Sequence, residues 1–201
     1  MELYYATTNK AKVDSLKHYL SGAGATGVEV LMYPKDVHEP RLDDVEAIAD
    51  MKVLEGFREI RKPVISLDAG FYIPSLNGFP KVFVNFALQT IGIEGILKLL
   101  EEKKGQERAG IFKDCLAYME NGRQAPLHFY GKDPGMITTA PRGKVQKFHW
   151  SPLAAIFIPN GYDKTLAEMT EAEYHEWRAV SPYRTSASRN FAQWAKENLS
   201  S

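Results

Sequence analysis

The sequence predicts an α/β fold, with a mixed β-sheet flanked by helices and two lobes, and three observations carry the prediction. The first is a short apolar run, Val64-Ile65-Ser66-Leu67, rich in β-branched residues and preceded by Lys62-Pro63. Such a run is the signature of a strand in a sheet core. The second is the alternation of strand-like and helix-like segments through the first third of the chain, the pattern of βα units. The third is a pair of strand-like segments, residues 109–120 and 126–132, joined by Asn121-Gly122, a strong hairpin turn.

The central run is expected to end at Asp68, with Gly70 allowing a sharp turn or a close approach to a ligand. Ligands gather outside the carboxyl ends of strands in open α/β sheets, so an acid there is well placed for chemistry. An aspartate that merely caps a turn accounts for the same residue.

At 201 residues the chain has the length of one domain, 1–201, able to bury a substantial core. Its 25 basic and 25 acidic residues cancel and the basic ones are scattered. That balance predicts neither nucleic-acid nor membrane-surface binding. No apolar run reaches bilayer length and no secretory leader pattern is present, so a cytoplasmic location is expected. The single cysteine, Cys115, excludes an internal disulfide, and its neighbours Ile111, Phe112 and Leu116 predict a buried structural thiol.

Taken in order, residues 3–6 read as a first strand, followed by Thr7-Thr8-Asn9-Lys10-Ala11-Lys12. Val13, Leu16 and Leu20 then carry a helical period that ends at Ser21-Gly22-Ala23-Gly24. The helix start can receive an anion, with Thr7 and Asn9 adding hydrogen bonds and Lys12 a charge. Plain capping by Thr8 or Asn9 explains the same residues. Residues 28–32 read as a second strand. A polar stretch, Asp36-Val37-His38-Glu39-Pro40-Arg41, precedes a helix from about Asp44 to Ile60. Lys52 lies on that helix's apolar stripe with Val45, Ile48, Ala49, Val53 and Phe57, either snorkelling at a rim or serving a function.

Beyond Asp68, Leu76-Asn77-Gly78-Phe79-Pro80 reads as a turn, and residues 83–88 and 91–100 as helices. Residues 135–139 form a further strand-like piece, and residues 153–158 a strand. Helices near 171–178 and 188–199 close the chain. The five histidines lack metal-ligand spacing, and Ser181, Ser186 and Ser188 lack a nucleophile-elbow context. Trp177 and Trp194 are expected in the core or at a dimer contact.

These stretches together resemble the inosine-triphosphate pyrophosphatase family, the Ham1-like nucleoside-triphosphate pyrophosphatases, over nearly the whole chain. Thr7 to Lys12 is similar to that family's opening Thr-x-Asn-x-x-Lys phosphate loop. Asp68-Ala69-Gly70 with Leu76-Asn77-Gly78-Phe79-Pro80 resembles its Asp-Ser/Thr-Gly segment and following turn. Residues 93–100, Gly131, Gly135, Ile137 and Pro141-Arg142-Gly143 fit later segments. The block from Phe157 through Pro159-Asn160-Gly161-Tyr162 to Met169 is the most specific.

The resemblance implies an elongated central sheet with an active-site cleft between the lobes. It also implies hydrolysis of nucleoside triphosphates, usually deaminated purine forms, to monophosphate and pyrophosphate. Thr7, Thr8, Asn9 and Lys12 would bind substrate. Asp68 and Lys52 would be catalytic, and Glu39 and Asp68 would hold Mg2+, with Glu46 in reserve. A homodimer is implied as well. Phe148 and Trp150 would stack on the base.

Several positions depart from the pattern. Leu67 replaces the first of two adjacent acids, and Phe148-His149-Trp150-Ser151-Pro152 stands for Phe-Gly-Trp/Tyr-Asp-Pro. Arg184 or Arg189 takes the arginine of a Ser-His-Arg motif that here has no histidine. These changes fall on base recognition more than on phosphate handling. A pyrophosphatase for a different nucleotide, or a nucleotide-binding protein with little catalysis, therefore stands beside the first reading.

Overall fold

The computed structural model describes residues 1–34 and 42–199. Seven strands form one sheet: β1 (Glu2–Ala6), β2 (Glu29–Tyr33), β3 (Val64–Tyr72), β4 (Pro80–Lys81), β5 (Ala109–Met119), β6 (Leu127–Ile137) and β7 (Phe157–Pro159). Six α-helices accompany them: α1 (Lys10–Ala23), α2 (Val45–Ile60), α3 (Val84–Thr90), α4 (Gly92–Leu99), α5 (Glu171–Val180) and α6 (Ala187–Asn198). The strand order is β2-β1-β3-β5-β6-β7, with β4 pairing β3 off this path. β1 runs parallel to β2 and β3, whereas β4 is antiparallel to β3 and β7 to β6. The expected mixed α/β sheet is therefore observed. Among the described residues no helix is long and apolar enough to cross a membrane.

The chain forms two compact units. The first comprises Met1–Ala69, Asp114–Gly131 and Thr185–Ser201, and the second Gly70–Lys113 and Lys132–Arg184. In the first, the crossover β1-α1-β2 moves outward from the sheet centre and β2-α2-β3 moves back past β1. Right-handed crossovers in opposite directions put their helices on opposite faces. Accordingly, α1 buries Val13, Leu16 and Leu20 in a cluster with Leu3, Tyr5, Ile65, Leu116, Tyr118 and Phe191 of α6, which no buried residue of α2 joins. The position between β1 and β3 is thus a topological switch point, where ligands bind in open α/β sheets. The second unit is built around Phe71, Phe112, Ile137, Phe157, Tyr174 and Trp177.

Three local expectations are corrected. β3 does not end at Asp68 but continues to Tyr72. Gly70 makes no turn there; it is buried, and a Cβ on it would lie 2.6 Å from the Lys81 carbonyl oxygen, so the close approach is to β4. The piece at residues 135–139 is not separate, because β6 runs on through Pro134 to Ile137. Residues 153–158 are not one strand. Ser151 caps a 3-10 helix, Pro152–Ala155, before the three-residue β7.

Candidate active site

In β1, Leu3 and Tyr5 alternate into the core, and the strand gives way to an exposed turn. The Thr7 hydroxyl oxygen accepts the Asn9 N–H at 3.1 Å. Asn9 Oδ1 in turn accepts the Ala11 and Lys12 N–H groups at 3.0 and 3.4 Å. Asn9, not Thr8, is therefore the cap of α1, a contact worth about 1 kcal/mol. Thr8 is exposed in the same turn. Lys12, one turn into the helix, reaches back across the switch point and donates from Nζ to the Leu67 carbonyl oxygen at 3.0 Å.

The register pairs Tyr5 with Ile65, and β1 ends one residue later. Asp68 therefore lies beyond the carboxyl end of β1 although it sits inside the longer β3. The acid is thus at the edge of the parallel part of the sheet. Its Oδ1 receives Lys52 Nζ at 3.0 Å, and each side chain is only 14% exposed. Lys52 comes from α2, whose start is capped by Asp44 accepting the Glu46 and Ala47 N–H groups at 2.9 Å. The lysine on the apolar stripe is thus paired with a carboxylate rather than merely snorkelling. A desolvated pair of this kind is costly to break from one side, since the remaining charge stays half buried.

Glu39, expected as a metal ligand, lies outside the described residues, as does the stretch from Asp36 to Arg41 around it. Among the described residues no group of three or more His, Cys, Asp or Glu is arranged to hold a metal ion. The reserve acid, Glu46, accepts a hydrogen bond from the Tyr130 hydroxyl at 2.5 Å. Cys115 is fully buried. Burial, and after it the carboxylates of Glu46 and Asp50, push its thiol up to about 12, which makes it inert as expected.

The residues expected to read a base lie in the second unit. Phe148 is half-buried against Tyr174, ring centroids 5.4 Å apart, and Trp150 is exposed with its ring edge-on to Phe112 at 4.5 Å. Between them, His149 is buried, and its Nδ1 accepts the Gln146 N–H at 2.8 Å. Ser151 spends its hydroxyl on the Leu153 N–H at 3.2 Å. Arg184 donates from Nε to Asp133 at 2.9 Å and from a terminal nitrogen to the Arg178 carbonyl at 3.0 Å, over the face of Trp177. Arg189, in the first unit, lies over the Tyr19 ring at 5.7 Å.

Two pairs that sequence reasoning passed over hold the helix that carries Lys52. His128 Nε2 contacts Asp50 Oδ1 at 2.5 Å, next to the Tyr130–Glu46 bond. The signal was available: Glu46 and Asp50 are one helical turn apart, and His128 and Tyr130 share one face of a strand.

The Ham1 family model matches residues 3–194. The chain is 36% identical over 200 residues to the dITP/XTP pyrophosphatase of Thermococcus kodakarensis, covering 99% of this chain and 100% of that one. It is 30% identical over 185 residues to the inosine triphosphate pyrophosphatase of Yarrowia lipolytica, covering 90% and 92%. The solved Ham1 protein of Staphylococcus aureus shares the fold, with a TM-score of 0.76 at 20% identity over 99% of this chain and 98% of that one. The chain belongs to the Ham1 family.

Proposed function

We propose that this protein is a nucleoside-triphosphate pyrophosphohydrolase. It would cleave deaminated purine nucleotides such as dITP, ITP and XTP to the monophosphate and pyrophosphate. The observation that carries the reading is the meeting of Lys12, Lys52 and Asp68 at the β1–β3 switch point. The names of the relatives, dITP/XTP pyrophosphatase and inosine triphosphate pyrophosphatase, support the substrate class. A triphosphate brings several negative charges, which Lys12 and Lys52 answer together with the dipole of α1 behind Thr7, Thr8 and Asn9. Asp68 would orient the attacking water and take its proton, while Lys52 exchanges part of its hold on Asp68 for a phosphate oxygen.

Magnesium suits this donor set. It prefers oxygen ligands and binds through one or two carboxylates plus phosphates and water. Asp68 would supply one carboxylate and Glu39 the second; the Tyr130 bond makes Glu46 a poorer choice. When bound, the ion would neutralise phosphate charge. Phe148 and Trp150 would stack on the base, and Arg184 or Arg189 would add a charge for the substrate. A homodimer belongs to the same proposal and rests on the family resemblance, and a cytoplasmic location is carried over as the sequence expectation.

One observation favours a different base preference. His149 Nδ1 is spent on the Gln146 N–H, and where the family pattern has an aspartate Ser151 offers only a hydroxyl whose oxygen already accepts the Leu153 N–H. The test is pyrophosphate release from a panel of nucleoside triphosphates with magnesium, for the protein and its Asp68→Asn variant. The variant is expected to lose activity about 100-fold or more, as removal of a general base does. Full activity in the variant would overturn the mechanism. Nucleotide binding without turnover across the panel would leave only a binding function.

A further inference from the structure

We propose that His128 is a positioning residue for Lys52, acting through Asp50 and helix α2; this rests on the role proposed above for Lys52. Lys52 reaches Asp68 from α2, so the placement of the helix sets how far its side chain must extend to do so. Four contacts hold the N-terminal half of α2 against the sheet. On β3, Ser66 donates to the Ala49 carbonyl at 2.6 Å and Asp68 meets Lys52 at 3.0 Å. On β6, His128 meets Asp50 and Tyr130 meets Glu46, each at 2.5 Å.

On β6 the spacings match. Residues two apart on a strand share a face and lie about 6.6 Å apart. Residues four apart on a helix lie about 6 Å apart along its axis. His128 and Tyr130 therefore meet Asp50 and Glu46 as two rungs. On β3 the helix runs against the strand, with Gly56 beside Val64 and Ala49 beside Ser66, so Lys52 reaches back along the strand to Asp68.

The C-terminal half of α2 is held differently, with the Tyr33 hydroxyl of β2 donating to Glu59. Gly56 lets the helix approach β3 closely, since a Cβ there would lie 3.1 Å from Val64 Cγ1. The His128 and Asp50 side chains are 20% and 31% exposed, so solvent weakens what the pair adds to stability. Its main effect is to fix the register of the helix that carries Lys52. A shift of one helical residue, about 1.5 Å, would force Lys52 into another rotamer to keep its hold on Asp68.

Two measurements test this. In the first, His128→Leu is compared with His128→Gln, whose amide still donates to Asp50. We expect kcat to fall about 10- to 100-fold in His128→Leu, the cost of an ångström-scale misplacement, and to remain near the parent value in His128→Gln. In a Lys52→Ala background, His128→Leu should leave kcat unchanged while lowering Tm by as much as in the parent. An equal factor in both backgrounds would overturn the proposal.

The second measurement needs no turnover. In the ligand-free protein with labelled lysine, the Lys52 Cε resonance should move in His128→Leu toward its position in Asp68→Asn. An unmoved resonance would overturn the proposal. A moved resonance in a protein that hydrolyses nothing would refute the proposed function and leave the positioning intact.

Discussion

His149 shows how one substitution can be resolved inside the fold. Its Nδ1 accepts a backbone N–H, so in the neutral ring the proton sits on Nε2, and burial lowers its pKa from the usual 6.5. The folded protein then binds fewer protons here than the unfolded chain does. The stability due to neutral His149 is present above pH 6.5 and is lost as pH falls through the folded pKa. Thermal unfolding between pH 7.5 and 5 should show a smaller acid loss in His149→Gln than in the parent, and parallel losses would contradict this. The sequence marked His149 as a departure from the family pattern. It held no sign of the burial, which comes from residues distant in sequence, notably Tyr174. Lys52 was conspicuous on its apolar stripe. Its partner, sixteen positions on, became evident only when α2 was laid on β3.

At the scale of elements, periodicity was a good guide to the helices and a poor one to the ends of strands. Asp68 and Gly70 are both depleted from strands, so β3 seemed to stop there. It continues because β4 folds back alongside it, pairing Phe71 with Lys81 and Tyr72 with Pro80. Gly70 is required by that return, and Gly70→Ala should destabilise the protein by about 1 to 3 kcal/mol, the usual cost of overpacking. Denaturant unfolding would measure it, and an unchanged midpoint would contradict the reading. The short helix at Pro152–Ala155 carried its own signal, a serine cap followed by proline at the first helical position. An apolar run of six residues outweighed that signal, because strand and short helix look alike at such lengths.

For the whole molecule, the mixed sheet and its βα units were legible, since strand-helix alternation leaves few topologies. The pairing of β4 with β3 was not, because a two-residue strand has no periodicity. The residues proposed to handle phosphate were legible as types, while their meeting depends on the switch point. The central claim is a choice of which phosphate bond breaks. The most direct test is to incubate the protein with dITP and magnesium and separate the products. The account predicts dIMP and pyrophosphate in equal amounts with no inorganic phosphate. Release of phosphate with dIDP would contradict it.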